Sequence, residues 1–280
     1  MTHIRIAYMP LATYPEAILN EAIGAAAALA GPIGCALGVT TFEVHLPRTS
    51  SGLGDLLIDI PGLVQANEER SRAECHRLQA LVREVAASHT LNVQCAARKV
   101  AWGLELDDAA AEARYFDLSL LPWSAETTAA QDMAQAVVFG SGRPAILVPP
   151  TARPASLEHI AIAWDGSRVA SRALGDALPL LAEGGRISVL TVRDEKPLSG
   201  PDLAGTLASS LQKRGFNAAP AESELGNRTI AEALQDTALS SGAQLLAMGG
   251  FGHSRIRDVV LGGATKGILT QLRIPVLLSH

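Results

Sequence analysis

Residues Gln244 to Thr265 read Gln-Leu-Leu-Ala-Met-Gly-Gly-Phe-Gly-His-Ser-Arg-Ile-Arg-Asp-Val-Val-Leu-Gly-Gly-Ala-Thr, and the rest of the chain is interpreted outward from them. An apolar run stops abruptly at Gly249, a glycine-rich turn with basic side chains follows, and Gly262 and Gly263 stand just ahead of a helix-forming segment. Glycines let the main chain approach an anion and adopt positive φ. The unpaired N–H groups and the positive dipole end of a following helix favour negative charge at its start. This is the outline of a phosphate loop, although glycine spacing alone also suits two ordinary turns. The surroundings must decide.

Around this stretch the pattern is one of alternating strands and helices. The run from His159 to Trp164 predicts a strand ending in Asp165-Gly166-Ser167, with Ser167 placed to cap a helix that carries Val169, Ala173, Leu174, Ala177 and Leu181 to Gly184-Gly185. Ile187 to Val192 predicts the second strand, Leu203, Leu207 and Leu211 a helix closed by Gly215, and Phe216 to Glu222 a weak strand. Thr229 opens a further helix. Gln244 to Met248 reads as strand four, the segment from Gly263 to about Leu272 as a helix, and Pro275 to Leu278 as strand five.

Ahead of a proline-rich linker, Pro149 to Pro154, the same order occurs once before. Strands are expected at Ile4 to Met9, Cys35 to Val44, Asn92 to Ala97, Asp117 to Leu121 and Ala145 to Val148. Helices are expected over Pro15 to Leu29, Gln65 to Ala87 with Leu78, Leu81, Val82 and Val85 as its buried stripe, Ala109 to Arg114 capped by Asp107 and Asp108, and Thr128 to Phe139. Pro47 to Asp55 reads as a turn-forming segment. The expectation is an α/β fold of two tandem, open, five-stranded parallel sheets with helices on both faces, divided as 1–150 and 151–280. Tandem copies usually pack through matching surfaces, so the chain would mimic a dimer by itself, with further homodimerisation through exposed last strands.

Composition narrows the function. The 280 residues are 48 % hydrophobic but only 4 % aromatic, so the core is built of Ala, Leu, Val and Ile. A net charge of −5 gives no general attraction to nucleic acid or to an anionic membrane, and any anion must be held locally. Cys35, Cys75 and Cys95 lie far apart, without metal-site or disulfide spacing, and read as reduced packing residues. Cys75-His76 has no third ligand or acid near it in sequence. No apolar run reaches the ~18 residues of a membrane span, and the start lacks a basic segment followed by an apolar one. A cytoplasmic protein is expected.

The string Met248-Gly249-x-x-Gly252, nine further residues and then Gly262, with the helix and the Pro275-Val276-Leu277-Leu278 strand after it, resembles the nucleotide loop of the universal stress protein family. Ala163-Trp164-Asp165-Gly166-Ser167 resembles that family's opening strand and turn. The resemblance covers residues 155–280 and implies a strand order of 3-2-1-4-5 with ATP, and Mg²⁺ beside it, as cofactor. It implies Asp165 near the ribose, Val192 near the adenine, and Met248, Gly249, Gly252, His253, Gly262, Gly263, Ala264 and Thr265 around the phosphates. One departure stands out: the family usually has Ser or Thr directly after the third spaced glycine, and this chain has Gly263. The first half resembles the family only in element order. Its first strand runs into Met9-Pro10-Leu11 without an acid, its fourth into Pro122-Trp123-Ser124, and the place of Gly262 falls on Gln131. Proline lacks the N–H such a loop must donate, so this half reads as a non-binding copy.

Two functions fit this pattern. The first is a cytoplasmic stress-response regulator that binds ATP in its second half and is not an enzyme of rapid turnover, because Asp165 is the one acid of catalytic type beside the glycine loop. The alternative is a scaffold or interaction module that binds no nucleotide. An adenylating enzyme is disfavoured by the absence of a Ser-Gly-Gly-x-Asp-Ser or Gly-x-x-x-x-Gly-Lys-Ser/Thr sequence.

Overall fold

A computed structural model describes residues 4–16, 18–47, 59–153, 156–193, 202–250 and 263–280. In the first half, the strands are β1 (Arg5–Leu11), β2 (Cys35–His45), β3 (Val93–Ala101), β4 (Leu118–Pro122) and β5 (Ala145–Val148), and the helices are α1 (Asn20–Leu29), α2 (Ile60–Ser88), α3 (Glu105–Ala113) and α4 (Thr128–Gly140). In the second, β6 (His159–Ala163), β7 (Arg186–Arg193), β8 (Asn217–Glu224), β9 (Leu245–Gly249) and β10 (Val276–Ser279) alternate with α5 (Arg168–Ala177), α6 (Leu203–Lys213), α7 (Ile230–Ser240) and α8 (Gly263–Thr270). Each half runs strand by strand in the expected order. The helices differ in detail at their ends.

Local chemistry explains those differences. Asp107 and Asp108 do not cap α3; they lie in its first turn, four residues of which precede Ala109, while the Glu105 carboxylate reaches back to accept from the Gly103 N–H at 2.7 Å. Acids within a first turn still complement the helix dipole. Helix α2 begins earlier than Gln65 because Asp59 accepts from Gly62 N at 2.9 Å and a proline sits at the helix start, where no N–H is needed. Helix α5 stops at Ala177 rather than continuing to Leu181, and a 3₁₀ turn over Leu178–Leu180 takes in Pro179, which cannot donate to an α-helical ladder. Ser167 caps α5 as expected, its Oγ accepting from Ala170 N, and Thr229 and Glu232 form a reciprocal capping box on α7.

All strands belong to one ten-stranded sheet in the order β3-β2-β1-β4-β5-β10-β9-β6-β7-β8. Each half therefore has the order 3-2-1-4-5. The two are not separate sheets: β10 pairs antiparallel with β5, Val276 opposite Leu147, Leu277 opposite Ile146 and Leu278 opposite Ala145. All other pairings are parallel. Ala-Ile-Leu-Val and Val-Leu-Leu-Ser are buried throughout, as strands covered on both faces must be. This union uses up the last strands, so neither is an exposed edge on which a second copy could add, and the expected dimerisation through them is corrected accordingly. Apolar residues of α1, α2, α5 and α6 pack in one buried cluster with alternate strand residues, and those of α3, α7, α8 and most of α4 in another, which places helices on both faces.

Candidate functional site

Strand order reverses between β6 and β9, which are neighbours while their chain successors leave in opposite directions; ligands of open parallel sheets bind outside the carboxyl ends at such a point. Ile162 on β6 stands opposite Ala247 on β9, so Asp165 and Gly249 leave the sheet side by side. Trp164 N donates to the Leu190 carbonyl at 2.8 Å and Thr191 Oγ1 donates to the Trp164 carbonyl at 3.1 Å, which extends the ladder with β7 past the end of β6. Asp165 follows half-buried. Its Oδ1 accepts from Ser167 N at 2.9 Å, and Gly166 turns the chain at φ +76° into the helix that Ser167 caps. Asp165 is thus held at the crevice mouth by its own turn. Trp164 is half-buried and packs against the apolar cluster. Val192, near the end of β7, is buried in the cluster beneath α7.

Met248 is buried on β9 and Gly249 ends the strand. A Cβ on Gly249 would stand 2.6 Å from Val169 Cγ2, 2.8 Å from the Val169 carbonyl carbon and 2.9 Å from Ala170 N. The lack of a side chain there lets the first turn of α5 close on β9. Gly250 N donates to the Ser279 carbonyl at 2.8 Å. Gly263 opens α8 and Ala264 is half-buried. Thr265 lies in the same first turn. Gly252, His253 and Gly262 lie outside the described residues, as do Arg255, Arg257 and Asp258.

The ladders place the two halves in register. Trp123 N donates to Val148 O at 2.9 Å as Gly250 N does to Ser279 O, and Ser119 N to Pro144 O as Leu246 N does to Pro275 O. Ala7 faces Leu118 as Ile160 faces Leu245. By this register Asp165, Val192, Gly249 and Gly250 correspond to Ala12, Phe42, Pro122 and Trp123. Ala12, Phe42 and Trp123 are buried together in one cluster, Trp123 only 2 % exposed. Thr13 Oγ1 donates to the Phe42 carbonyl at 2.6 Å and lies 2.7 Å from Ser71 Oγ, which in turn accepts from Val44 N at 3.0 Å. Gln131, at the place of Gly262, lies inside α4, its Nε2 donating to Ala125 O at 2.8 Å. The first crevice is filled with protein.

Residues 156–280 match the model of the universal stress protein family. The second half is a universal stress protein domain. No curated protein matches the chain. A universal stress protein from Archaeoglobus fulgidus DSM 4304 shares its fold over 97 % of each chain, with a TM-score of 0.68 and 14 % identity. A universal stress protein family member from Burkholderia pseudomallei is 27 % identical over 44 % of this chain and 95 % of its own, with a TM-score of 0.32. A universal stress protein solved in complex with cAMP aligns over 44 % of this chain and 96 % of its own at 17 % identity, with a TM-score of 0.33. The long match to the archaeal protein extends the tandem fold to the first half, which the family model leaves out.

Outside this universal stress protein crevice, a cavity of about 530 Å³ lies at the opposite, amino ends of the strands, lined among others by His159, Gly184, Arg186, Asn217 and Gln244. His159 is buried, its Nε2 2.8 Å from Ser188 Oγ, and burial followed by the Arg186 charge holds it below the ordinary histidine range. This cavity is far from the strand-order reversal at the carboxyl ends and takes no part in the site. Cys35, Cys75 and Cys95 are free, and burial pushes the Cys35 thiol up to about 11, which suits packing rather than nucleophilic use. No three His, Cys, Asp or Glu side chains are grouped for a metal, and no helix is long and apolar enough to cross a membrane, among the described residues. Sequence reasoning missed Val138 and Phe139, which come from the first half to within 3.8 and 3.9 Å of the Cβ position of Gly250. Only the pairing of β5 with β10 brings them there, and no local pattern signals it.

Proposed function

We propose that the second half binds an adenine nucleotide, ATP, in the crevice between the ends of β6 and β9, and that the protein serves as a nucleotide-dependent regulator in a cytoplasmic stress response. The observation that carries this reading is the convergence of a half-buried carboxylate, Asp165, with a bulk-free strand end, Gly249-Gly250, at the strand-order reversal. In this reading Asp165 would meet a ribose hydroxyl, Val192 the base, and Gly249-Gly250 with the first turn of α8 the phosphates. Gly263 brings a main-chain N–H and no hydroxyl, so phosphate is held by backbone there. Mg²⁺ would arrive with the phosphates, since the described side chains do not group for a cation of their own.

With Asp165 Oδ1 engaged by Ser167 N, the crevice is suited to holding a nucleotide rather than turning it over rapidly. The filled first crevice and the missing hydroxyl at Gly263 favour the second reading, a scaffold without nucleotide. Calorimetric titration with ATP·Mg separates the two. The parent should bind one equivalent and Gly252→Val should lose it; a parent that takes up no heat supports the scaffold, and unchanged affinity in Gly252→Val puts the site elsewhere.

A further inference from the structure

The ten-stranded sheet ends in β3 on one side and β8 on the other, and the two edges are finished differently. On β3, Asn92 O accepts from Leu37 N and Trp102 N donates to His45 O, both at 2.9 Å, so even-numbered residues turn their main-chain groups toward β2. Val93, Cys95, Ala97, Lys99 and Ala101 turn theirs outward, where no strand meets them among the described residues. On β7, Arg186 N donates to Glu158 O and Leu190 O accepts from Trp164 N, so even-numbered residues face β6 and odd ones β8. Ile187 stands opposite Ala218 as Leu37 stands opposite Val93, and by the same ladder geometry the β8 residues that face outward are Ala218, Pro220, Glu222 and Glu224. Pro220 has no N–H to offer there, which blunts β8 against a further strand. Strand β3 contains no proline.

Charge does not close the β3 edge either. Edge lysines and arginines commonly repel a second strand, but here Arg98 lies 3.8 Å from Asp108 Oδ2 and 3.5 Å from Glu112 Oε2, and Lys99 lies 4.0 Å from Glu43 Oε1. Both cations are compensated by their own chain. Val93 and Cys95 lie on the face covered by α2 and Val100 on the face covered by α3. Two equal edges that meet antiparallel about an axis normal to the sheet therefore oppose odd residues to odd and even to even. An axis at Ala96 opposes that exposed alanine to itself, Cys95 to Ala97, Gln94 to Arg98 and Val93 to Lys99. The two Arg98 then stand about 13 Å apart along the ladder at ~3.3 Å per residue, beyond the ~10 Å reach of screened charge. An axis at Ala97 brings them to about 7 Å, and one at Cys95 keeps only residues 93–97 of β3 in the ladder.

We propose that the protein is a homodimer joined through β3, a second copy adding antiparallel about a two-fold axis at Ala96, so that the two sheets run on as one. Because β8 is blunted, the assembly closes at two copies instead of growing into a filament. Trp102 and Leu104, 55 % and 54 % exposed just past β3, then lie beside the start of the second copy's strand. The pairing involves neither crevice and is independent of the nucleotide reading.

Sedimentation equilibrium of the full chain over a wide range of concentration should show monomer and dimer in exchange. Ala97→Pro removes an N–H that faces only the second copy, a change an edge strand tolerates. It should raise the dissociation constant about tenfold or more, as the loss of two hydrogen bonds per dimer implies, with far-ultraviolet circular dichroism unchanged. Ala96→Lys, at an exposed position, sets two like charges opposite each other at the axis and should weaken the dimer as well. A parent that stays monomeric at its highest soluble concentration overturns the proposal, as does a dimer that survives Ala97→Pro unweakened. A dimer weakened by Ala97→Pro and untouched by Ala96→Lys overturns the axis at Ala96, and species larger than a dimer overturn the closure at β8. Should Ala97→Pro fail to fold, Ala96→Lys decides alone, and parental association in it overturns the proposal.

Discussion

The carboxyl ends of the two halves share one hydrogen-bond frame and differ in what caps it. Where the second half has Asp165, Val192, Gly249 and Gly250, the first has Ala12, Phe42, Pro122 and Trp123, and the difference is between a carboxylate beside a glycine pair and a buried plug with two aromatic rings. The ladders are indifferent to this exchange, because parallel pairing uses main-chain groups and the strands before each cap are apolar in both halves. The same sheet pattern can thus carry different residues at its ends. In the first half these positions are buried, with Thr13 Oγ1 donating to the Phe42 carbonyl and Ser71 Oγ accepting from Val44 N, while the buried Trp123 Nε1 has no hydrogen-bond partner among the described residues.

The strongest way to break the comparison is to remove the plug. Trp123→Ala should cost about 3–5 kcal/mol in denaturant unfolding, as large-to-small core changes do, and calorimetry should still count one ATP per chain. A second equivalent of nucleotide would mean that the plug alone silences the first half. On the other side, Gly249→Ala forces a Cβ against the Val169 and Ala170 backbone, so it should cost roughly 1–3 kcal/mol and lower ATP affinity by moving α5, whereas Gly250→Ala meets only ordinary contacts and should stay within about 0.5 kcal/mol. Equal effects in unfolding would show that α5 does not close on Gly249 as tightly as described.

The smallest effect concerns the amino ends, where His159 occupies the place of Ile6. His159 is held below its ordinary range by burial and by Arg186, so the folded chain binds fewer protons there than the unfolded one. Its contribution is complete above the unfolded value near 6.5 and is lost as pH falls below it. Stability measured from pH 7 to pH 5 should therefore fall more steeply in the parent than in His159→Gln; parallel slopes would remove the titration from the account.

Much of the fold was legible because short buried strands are bounded by prolines: Ala145–Val148 lies between Pro144 and Pro149, and Val276–Ser279 follows Pro275. The cap at Ser167 and the helix start at Thr229 were equally local and equally legible, while the reciprocal partner of Thr229, Glu232, was not singled out. The start of α3 was misread because two adjacent aspartates suggest a cap, while the carboxylate that reaches back is the earlier Glu105. The union of β5 with β10 carries no local signal, since a four-residue apolar strand reads the same whether its outer neighbour is solvent, a helix or another strand. For the candidate site, Asp165 and Gly249 could be placed at one crevice from element order alone. The partners of Gly250 from α4 could not, because they depend on that union.

The seam between β5 and β10 lies within one polypeptide, whereas two identical subunits meeting edge to edge would have to carry every substitution twice. Fusion lifts that constraint. A bulky ring at the end of one fourth strand leaves its counterpart untouched, and the two lobes are always present in equal number and at a fixed distance. Division of labour between them, one to hold a small molecule and one to be recognised, is open to this chain in a way that it is not to a symmetric pair.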